Sequence, residues 1–151
     1  MFAVPIPEKL EEILEIFEMT SDRSEKSEML IYWAEKFKEV PQDIAKRPFD
    51  EKNRVPSCES QAFVFYKEND QGLLDFHFAV ENPQGISAKA ICALMKETLD
   101  GAHKEEILEI DPDLVFTLFD RSHLGMARAA GLRGIIKMIK IFTKNHFDAI
   151  Q

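Results

Sequence analysis

Residues 61–80, QAFVFYKENDQGLLDFHFAV, decide the fold of this chain. Their first part, Gln61–Lys67, is rich in β-forming residues and is followed by the turn sequence NDQG at residues 69–72. Beyond the turn, apolar side chains occupy every second position, at Leu74, Phe76, Phe78 and Val80. Alternation with a period of two predicts a strand with one buried face. The segment therefore predicts a β-hairpin with strands over Gln61–Lys67 and Leu73–Val80.

Helical periodicity flanks this hairpin on both sides. Two helices precede it: one follows Pro7, and the other follows the candidate N-cap Ser21 and ends by Pro41. After the hairpin we expect helical segments over Ile86–Leu99, His103–Ile110, a short piece from Pro112, and Ala127–Lys144. This order predicts an α+β fold in which a small antiparallel sheet is packed against helices on one face. A third short strand near Asn53–Val55 would fit beside the hairpin.

Length and charge narrow the class of protein. A chain of 151 residues predicts one domain. Lys and Arg number 19 and Asp and Glu number 27, which gives a formal net charge of −8. An acidic chain repels phosphate backbones and anionic lipid, so neither nucleic acid nor a membrane surface is expected as a partner. The N-terminal residues show no targeting pattern and no apolar run is long enough to span a membrane, so we expect a cytoplasmic, reducing location.

The chain has two cysteines, too few for a disulfide scaffold, a thiolate zinc site or an iron–sulfur cluster. We expect no bound metal and no cofactor. Cys92 lies among Ile91, Leu94 and Met95 on a predicted helix, which favours an inert core thiol. Cys58 instead ends a polar, proline-rich stretch over residues 41–60, and loops of that length are usually functional or mobile.

Two opposite charges flank Cys58. The Arg54 guanidinium favours the nucleophilic thiolate, and the Glu59 carboxylate disfavours a second negative charge beside it. Two interpretations stay open from the residues alone: a reactive thiol on an exposed loop, or a small side chain tucked beneath it. If Cys58 is an enzyme nucleophile, His77 or His123 would have to serve as its base.

The last predicted helix carries cations on two faces. Arg128 falls near the middle of its apolar face. In a functional role, its guanidinium would meet the cysteine region or a carboxylate of a partner. In a structural role, it would bend out to solvent or make an ion pair within the chain. The opposite face carries a basic stripe, Arg133, Lys137, Lys140 and Lys144. That stripe is more often a solvated face than a docking surface.

Residues 51–61, EKNRVPSCESQ, resemble the signature of the SufE family of sulfur acceptors, approximately ENRVxGCxSQ followed by a strand. The resemblance covers most of the chain. It includes two opening helices, a proline-containing loop, the hairpin, a helix after Asn82-Pro83, and a final helix opening with Arg128-xx-Gly131-Leu132. It implies a SufE/IscU-like α+β fold and a single SufE-like domain over residues 1–151.

The resemblance also implies a function and its residues. Cys58 falls on the cysteine that accepts persulfide sulfur from a cysteine desulfurase, a pyridoxal-phosphate enzyme. Arg54, Ser60 and Gln61 fall on the flanking motif, and Arg128 falls on the arginine that opens the last helix. Such a protein stimulates the desulfurase, passes sulfur to an iron–sulfur cluster scaffold and needs no cofactor of its own.

Four departures from the family pattern stand out. Ser57 replaces a glycine, which matters if that position needs a positive φ. Glu59 replaces glutamine, Ala88-Lys89 replaces a Lys-Gly pair, and Ala127 replaces a serine. These differences affect rate and partner identity more than the type of reaction.

Three hypotheses follow for the function: a sulfur carrier, a thiol enzyme, and an iron–sulfur scaffold of the IscU type. The third fails because Cys58 and Cys92 cannot supply the usual three thiolates. The first two differ in one structural respect. A thiol enzyme needs a histidine within hydrogen-bond reach of the sulfur, whereas a carrier presents its cysteine on a loop without such a base.

Overall fold

The structure is a computed structural model that describes residues 4–150 of the chain. Within that range it contains a two-stranded antiparallel sheet and six α-helices, and the α+β class and the hairpin are confirmed. Single turns of 3-10 helix occur at Glu51–Asn53 and Pro112–Leu114. The elements in chain order are α1 (Glu8–Met19), α2 (Arg23–Glu35), β1 (Ala62–Glu68), β2 (Leu74–Val80), α3 (Ile86–Leu99), α4 (Lys104–Leu108), α5 (Val115–Leu118) and α6 (Met126–Ala149).

The hairpin places its two faces in different surroundings. Its register runs from Ala62 opposite Val80 to Glu68 opposite Leu74. The inner face packs into the main hydrophobic core together with α1, α3 and α6, and its buried residues are Ala62, Val64, Leu74, Phe76, Phe78 and Val80. Because side chains alternate along a strand, Phe63, Phe65 and Ala79 point to the outer face.

A loop, rather than a helix, covers the outer face of the sheet. Phe49 lies 5.1 Å from the ring of Phe63 and 5.3 Å from that of Phe65, centroid to centroid. Val40 is buried in the same small cluster, and its N–H donates to the Phe78 carbonyl at 2.8 Å. The first half of the long polar stretch is therefore a structural cover, and only its second half carries the cysteine.

Several predicted boundaries shift. The N-cap of α2 is Asp22, not Ser21, because the Asp22 carboxylate accepts the Ser24 N–H at 2.8 Å. That helix already ends at Glu35, well before Pro41. The third strand near 53–55 is reduced to one bridge between Arg54 and Phe63.

The last helix, α6, starts one residue before the predicted Ala127 and runs five residues past the predicted Lys144. Its extra turn is held by tertiary contacts. The His146 ring lies 5.2 Å from the Tyr66 ring, centroid to centroid, and the Lys104 ammonium lies 5.5 Å from the centroid of the Phe147 ring. Across residues 4–150, no helix combines the length and the apolar character that crossing a membrane requires.

Candidate functional site

The segment around Cys58 is a tight turn fixed to the start of β1 and the exit of β2. The Cys58 carbonyl accepts the Gln61 N–H at 3.0 Å, which closes the turn. The Ser60 carbonyl accepts the Asn82 N–H, and the Gln61 carbonyl accepts the Glu81 N–H, both at 3.1 Å. These main-chain bonds hold the cysteine at one end of the sheet.

Two residues of this segment have left-handed backbone conformations. Ser57 has φ 60° and Gln61 has φ 54°. This conformation costs a residue other than glycine about 1 kcal/mol, and such positions cluster at functional sites. The position where the family pattern has glycine thus does require a positive φ, and Ser57 adopts it.

Glycines on α6 let the cysteine segment lie directly on that helix. A Cβ at Gly131 would stand 3.0 Å from the Cα of Cys58 and 3.2 Å from the Ser57 carbonyl oxygen. A Cβ at Gly134 would stand 2.9 Å from Cγ1 of Val55. Any larger side chain at either position would push the segment outward. Gly131 belongs to the motif that carries the resemblance, but its role as a contact surface is visible only in three dimensions.

A third glycine, Gly85, lies close to Ser60 of the cysteine segment. A Cβ there would stand 3.0 Å from both Cβ and Oγ of Ser60. Sequence reasoning missed this residue, and its only sequence signal is the turn that follows Asn82-Pro83.

Cys58 opens into a cavity of about 200 Å³. Its thiol is half-buried and packs against the main core. The cavity brings together residues from the cysteine segment, the turn before α3 and the start of α6, among them Cys58, Glu59, Ser60, Asn82, Gly85 and Arg128. Of the predicted site residues, Ser60 and Arg128 therefore stand beside Cys58. Arg128 is exposed, so its guanidinium is open to a partner.

The structure does not bring the other two predicted residues into this cavity. The Nε of Arg54 donates to Oε2 of Glu51 at 2.9 Å, and its guanidinium lies 4.9 Å from the centroid of the Phe63 ring. Gln61 contributes its backbone to the turn, while its side chain is exposed. Arg54 thus anchors the segment, whereas Arg128 is the cation beside the cavity.

Among residues 4–150, no histidine lines the Cys58 cavity. His77 lies on the outer face of the sheet opposite Phe65. Burial, followed by Lys96, lowers the pKa of His77 against the opposing effect of Asp100 and other carboxylates. Nδ1 of His123 is hydrogen-bonded to the Ser122 hydroxyl at 3.0 Å. His123 lines a neighbouring pocket, and among the described residues that pocket and the Cys58 cavity have Arg128 in common.

Cys92 is a core residue, as predicted. It is fully buried in α3. Burial raises the pKa of the Cys92 thiol well above its usual value, and the nearby Cys58 acts in the same direction. In the part of the chain that the structure describes, no cluster of three or more His, Cys, Asp and Glu residues could hold a metal ion.

The basic stripe of α6 serves contacts within the chain. Arg133 pairs with Asp113, with Nε 2.8 Å from Oδ1. The Lys140 ammonium donates to the Ile110 carbonyl at 2.6 Å, and Lys144 pairs with Asp148 one turn further on. Arg133, Lys140 and Lys144 are therefore tied to groups of the chain itself, so the stripe is not simply the solvated face that the sequence predicts.

Comparison with known proteins shows the family of the chain and supports its fold. The SufE family model, described as an Fe-S metabolism associated domain, matches residues 11–143. The chain is similar to "SufE-like protein 1, chloroplastic/mitochondrial" of Arabidopsis thaliana, with 26% identity over 137 residues, 89% of this chain and 34% of that protein. It is also similar to "Cysteine desulfuration protein SufE" of Plasmodium falciparum, with 26% identity over 139 residues, 91% of this chain and 54% of that protein.

The chain therefore spans about a third and about half of the length of those two relatives. An uncharacterized SufE-like protein of Synechocystis is 26% identical over 141 residues, 89% of this chain and 80% of that protein. In three dimensions, the chain is similar to the solution structure of a hypothetical protein from Thermus thermophilus. The TM-score is 0.75 with 24% identity, over 95% of this chain and 98% of that one. This structural similarity supports the fold alone.

Proposed function

The chain belongs to the SufE family, and on that premise we propose that it is a sulfur acceptor that works on Cys58. In this proposal it takes persulfide sulfur from a pyridoxal-phosphate-dependent cysteine desulfurase and stimulates that enzyme. It then passes the sulfur to an iron–sulfur cluster scaffold. The name of the Plasmodium relative, a cysteine desulfuration protein, supports the first step.

The proposed step is a thiol–disulfide type exchange. The Cys58 thiolate attacks the outer sulfur of a persulfide on the partner's cysteine. A bond forms between Sγ of Cys58 and that sulfur, the bond between the two partner sulfurs breaks, and the partner cysteine leaves as a thiolate. Electrons balance without an oxidant, because the sulfur keeps its oxidation state as it moves from one thiolate to the other.

The observation that carries the proposal is the composition of the Cys58 cavity. It holds the Cys58 thiol, the Arg128 guanidinium, the Glu59 carboxylate and neutral polar side chains, but no histidine among the described residues. A thiol enzyme needs a base within reach, and His77 and His123 lie elsewhere. A carrier needs only a nucleophilic sulfur that a partner can approach, and the partner completes the site.

The same arrangement suits the carried persulfide. Cys58 is half-buried beside a cavity far larger than one sulfur atom. The persulfide can therefore fold back against the wall formed by Ser60 and Gly85 and stay out of bulk solvent. Arg128, at the mouth, offers a positive charge to the terminal sulfur or to a carboxylate of the partner.

Two further parts of the proposal concern organisation and place. The main core joins the hairpin to helices from both ends of the chain, which supports one SufE-like domain over residues 1–151. The proposed location is cytoplasmic, and the two free cysteines suit a reducing compartment. The Arabidopsis relative is named for two organelles, so imaging of the tagged full-length protein is the direct check.

The test is stimulation of a cysteine desulfurase, measured as alanine formed from cysteine. We expect the wild-type protein and Cys92→Ala to stimulate turnover, and Cys58→Ser to abolish the effect. Arg128→Ala should weaken stimulation with an unchanged circular dichroism spectrum and melting temperature. Full stimulation by Cys58→Ser would refute the role of Cys58, and unfolding of Arg128→Ala would make Arg128 a structural residue.

A further inference from the structure

Helix α2 leaves an unusual amount of apolar surface in contact with solvent. It carries five consecutive apolar or aromatic residues, at 29–33, yet none of its thirteen residues is fully buried. Tyr32 is 54% exposed, and Ile16 on the neighbouring α1 is also 54% exposed. Scattered exposed apolar residues are ordinary, but contiguous ones mark interaction surfaces.

Ile16 and Tyr32 line one groove between α1 and α2. The groove encloses about 510 Å³. Its floor and walls include Ile13, Ile16 and Phe17 from α1, and Met29, Tyr32 and Trp33 from α2. Among the described residues, it shares no lining residue with the Cys58 cavity. The groove is therefore a surface separate from the proposed sulfur site.

The rim of the groove is acidic. Helix α1 carries five glutamates and one lysine, and α2 carries three glutamates, one arginine and one lysine. Glu25 and Glu28 line the groove directly. Two of the three cations bind carboxylates outside these helices: Lys9 lies 3.8 Å from Glu97, and Arg23 lies 3.4 Å from Asp120. The glutamates therefore keep most of their negative charge for a partner.

The aromatic wall of the groove already holds one cation of this chain. The ammonium of Lys36 lies 4.9 Å from the centroid of the Tyr32 ring and 5.9 Å from that of Trp33. A cation at this distance over an aromatic face is attracted by the ring. Because Lys36 already lies over these rings, the groove offers a partner an apolar floor and the carboxylates of Glu25 and Glu28.

We propose that this groove binds a basic amphipathic helix of a partner protein. Apolar side chains spaced three and four residues apart enter the groove between Ile16 and Tyr32, as helices do in other hydrophobic grooves. Lysine or arginine side chains on the flanks of that helix pair with Glu25 and Glu28. Because the groove and the Cys58 cavity have separate walls, such a partner binds while Cys58 is engaged elsewhere.

Trp33 provides a direct readout, since it lines the groove and the chain has one tryptophan. The probe is a synthetic amphipathic helix of leucine and lysine, titrated into the full-length protein. We expect a saturable change in Trp33 emission that weakens as salt is added. The same peptide with glutamate in place of lysine should leave the emission unchanged.

Matched variants locate the binding. Ile16→Ser should weaken peptide binding at least about tenfold, because it removes the apolar contact at the centre of the groove. Ile141→Ser, at a side chain on α6 that is 56% exposed, should bind like the wild type. Glu25→Gln with Glu28→Gln should weaken binding severalfold and flatten the salt dependence.

Three results would overturn the proposal. One is equal affinity of Ile16→Ser and Ile141→Ser for the peptide, with both variants folded by circular dichroism. Another is the absence of saturable binding at millimolar peptide. The third is self-association of the peptide-free wild type in sedimentation that Ile16→Ser abolishes, which would make a second copy of the chain the occupant.

Discussion

The segment that carries Cys58 and the helix that carries Cys92 both contact the main hydrophobic core, yet they give their thiols opposite surroundings. Cys92 is enclosed in α3, where burial keeps it protonated. Cys58 follows Ser57, which has a left-handed backbone conformation, lies directly on α6 at Gly131, and opens into a cavity. The difference shows that the backbone around a cysteine decides whether its sulfur can meet another molecule.

The largest expected effect is a difference in alkylation rate between the two thiols. In the native protein a small alkylating agent should modify Cys58 at about the rate of an ordinary thiol or more slowly, and Cys92 at least about a thousandfold more slowly. Cys92 reacts only through opening of the core, which costs a large part of the unfolding free energy. Mass spectrometry of peptides over time gives both rates. Comparable alkylation rates for Cys58 and Cys92 would show that the two thiols do not differ in accessibility.

A smaller effect should follow from adding one methyl group beneath Cys58. Gly131→Ala puts a Cβ 3.0 Å from the Cα of Cys58, so the segment has to move outward. We expect the alkylation rate of Cys58 to rise severalfold as the thiol loses packing. Gly125→Ala is the matched control, because a Cβ there meets nothing within 4 Å. Equal rates in the two variants would show that Gly131 does not position the segment.

The raised pKa of Cys92 predicts a pH dependence of stability. Above the usual thiol pKa, the unfolded chain loses the Cys92 proton while the folded chain keeps it, so the free energy of unfolding falls as pH rises. The loss should approach about 1.4 kcal/mol per pH unit. We expect the free energy of unfolding of Cys58→Ser, measured with denaturant, to fall above about pH 9. That of the double variant Cys58→Ser with Cys92→Ala should fall with a smaller slope. Parallel curves would contradict the burial of this thiol.

The smallest effect concerns the left-handed residue beside Cys58. Ser57→Gly relieves the positive φ but frees the unfolded chain, so its stability should change by no more than about 1 kcal/mol. Ser57→Val should destabilise by more, because a β-branched residue fits that conformation poorly. The midpoints of urea unfolding report both. A loss of clearly more than about 1 kcal/mol in Ser57→Gly, or a Ser57→Val as stable as the wild type, would remove the conformational explanation for this position.

Local patterns made much of this fold predictable. The hairpin follows from alternation and a turn signal within twenty residues, and the limits of α3 agree with its sequence pattern. The core position of Cys92 follows from its helical neighbours. Asp22 and Ser21 are adjacent residues that both suit an N-cap, so pattern alone could not choose between them.

Contacts between distant residues were beyond such patterns. The cover formed by Phe49 depends on phenylalanines fourteen and sixteen residues further along the chain. The path of Arg54 toward Glu51 and Phe63 depends on how the segment packs. Composition and motif singled out Cys58 and Arg128, but the proximity of Arg128 to the thiol required the packing of α6 beneath the cysteine segment.

The most direct test of the sulfur-acceptor proposal is the location of the transferred sulfur. The protein is incubated with a cysteine desulfurase, pyridoxal phosphate and cysteine, then alkylated and analysed by intact and peptide mass. We predict one or more added sulfur atoms on the peptide that contains Cys58, retained in Cys92→Ala and absent in Cys58→Ser. Added sulfur mainly on Cys92, or equal sulfur in Cys58→Ser, would contradict it.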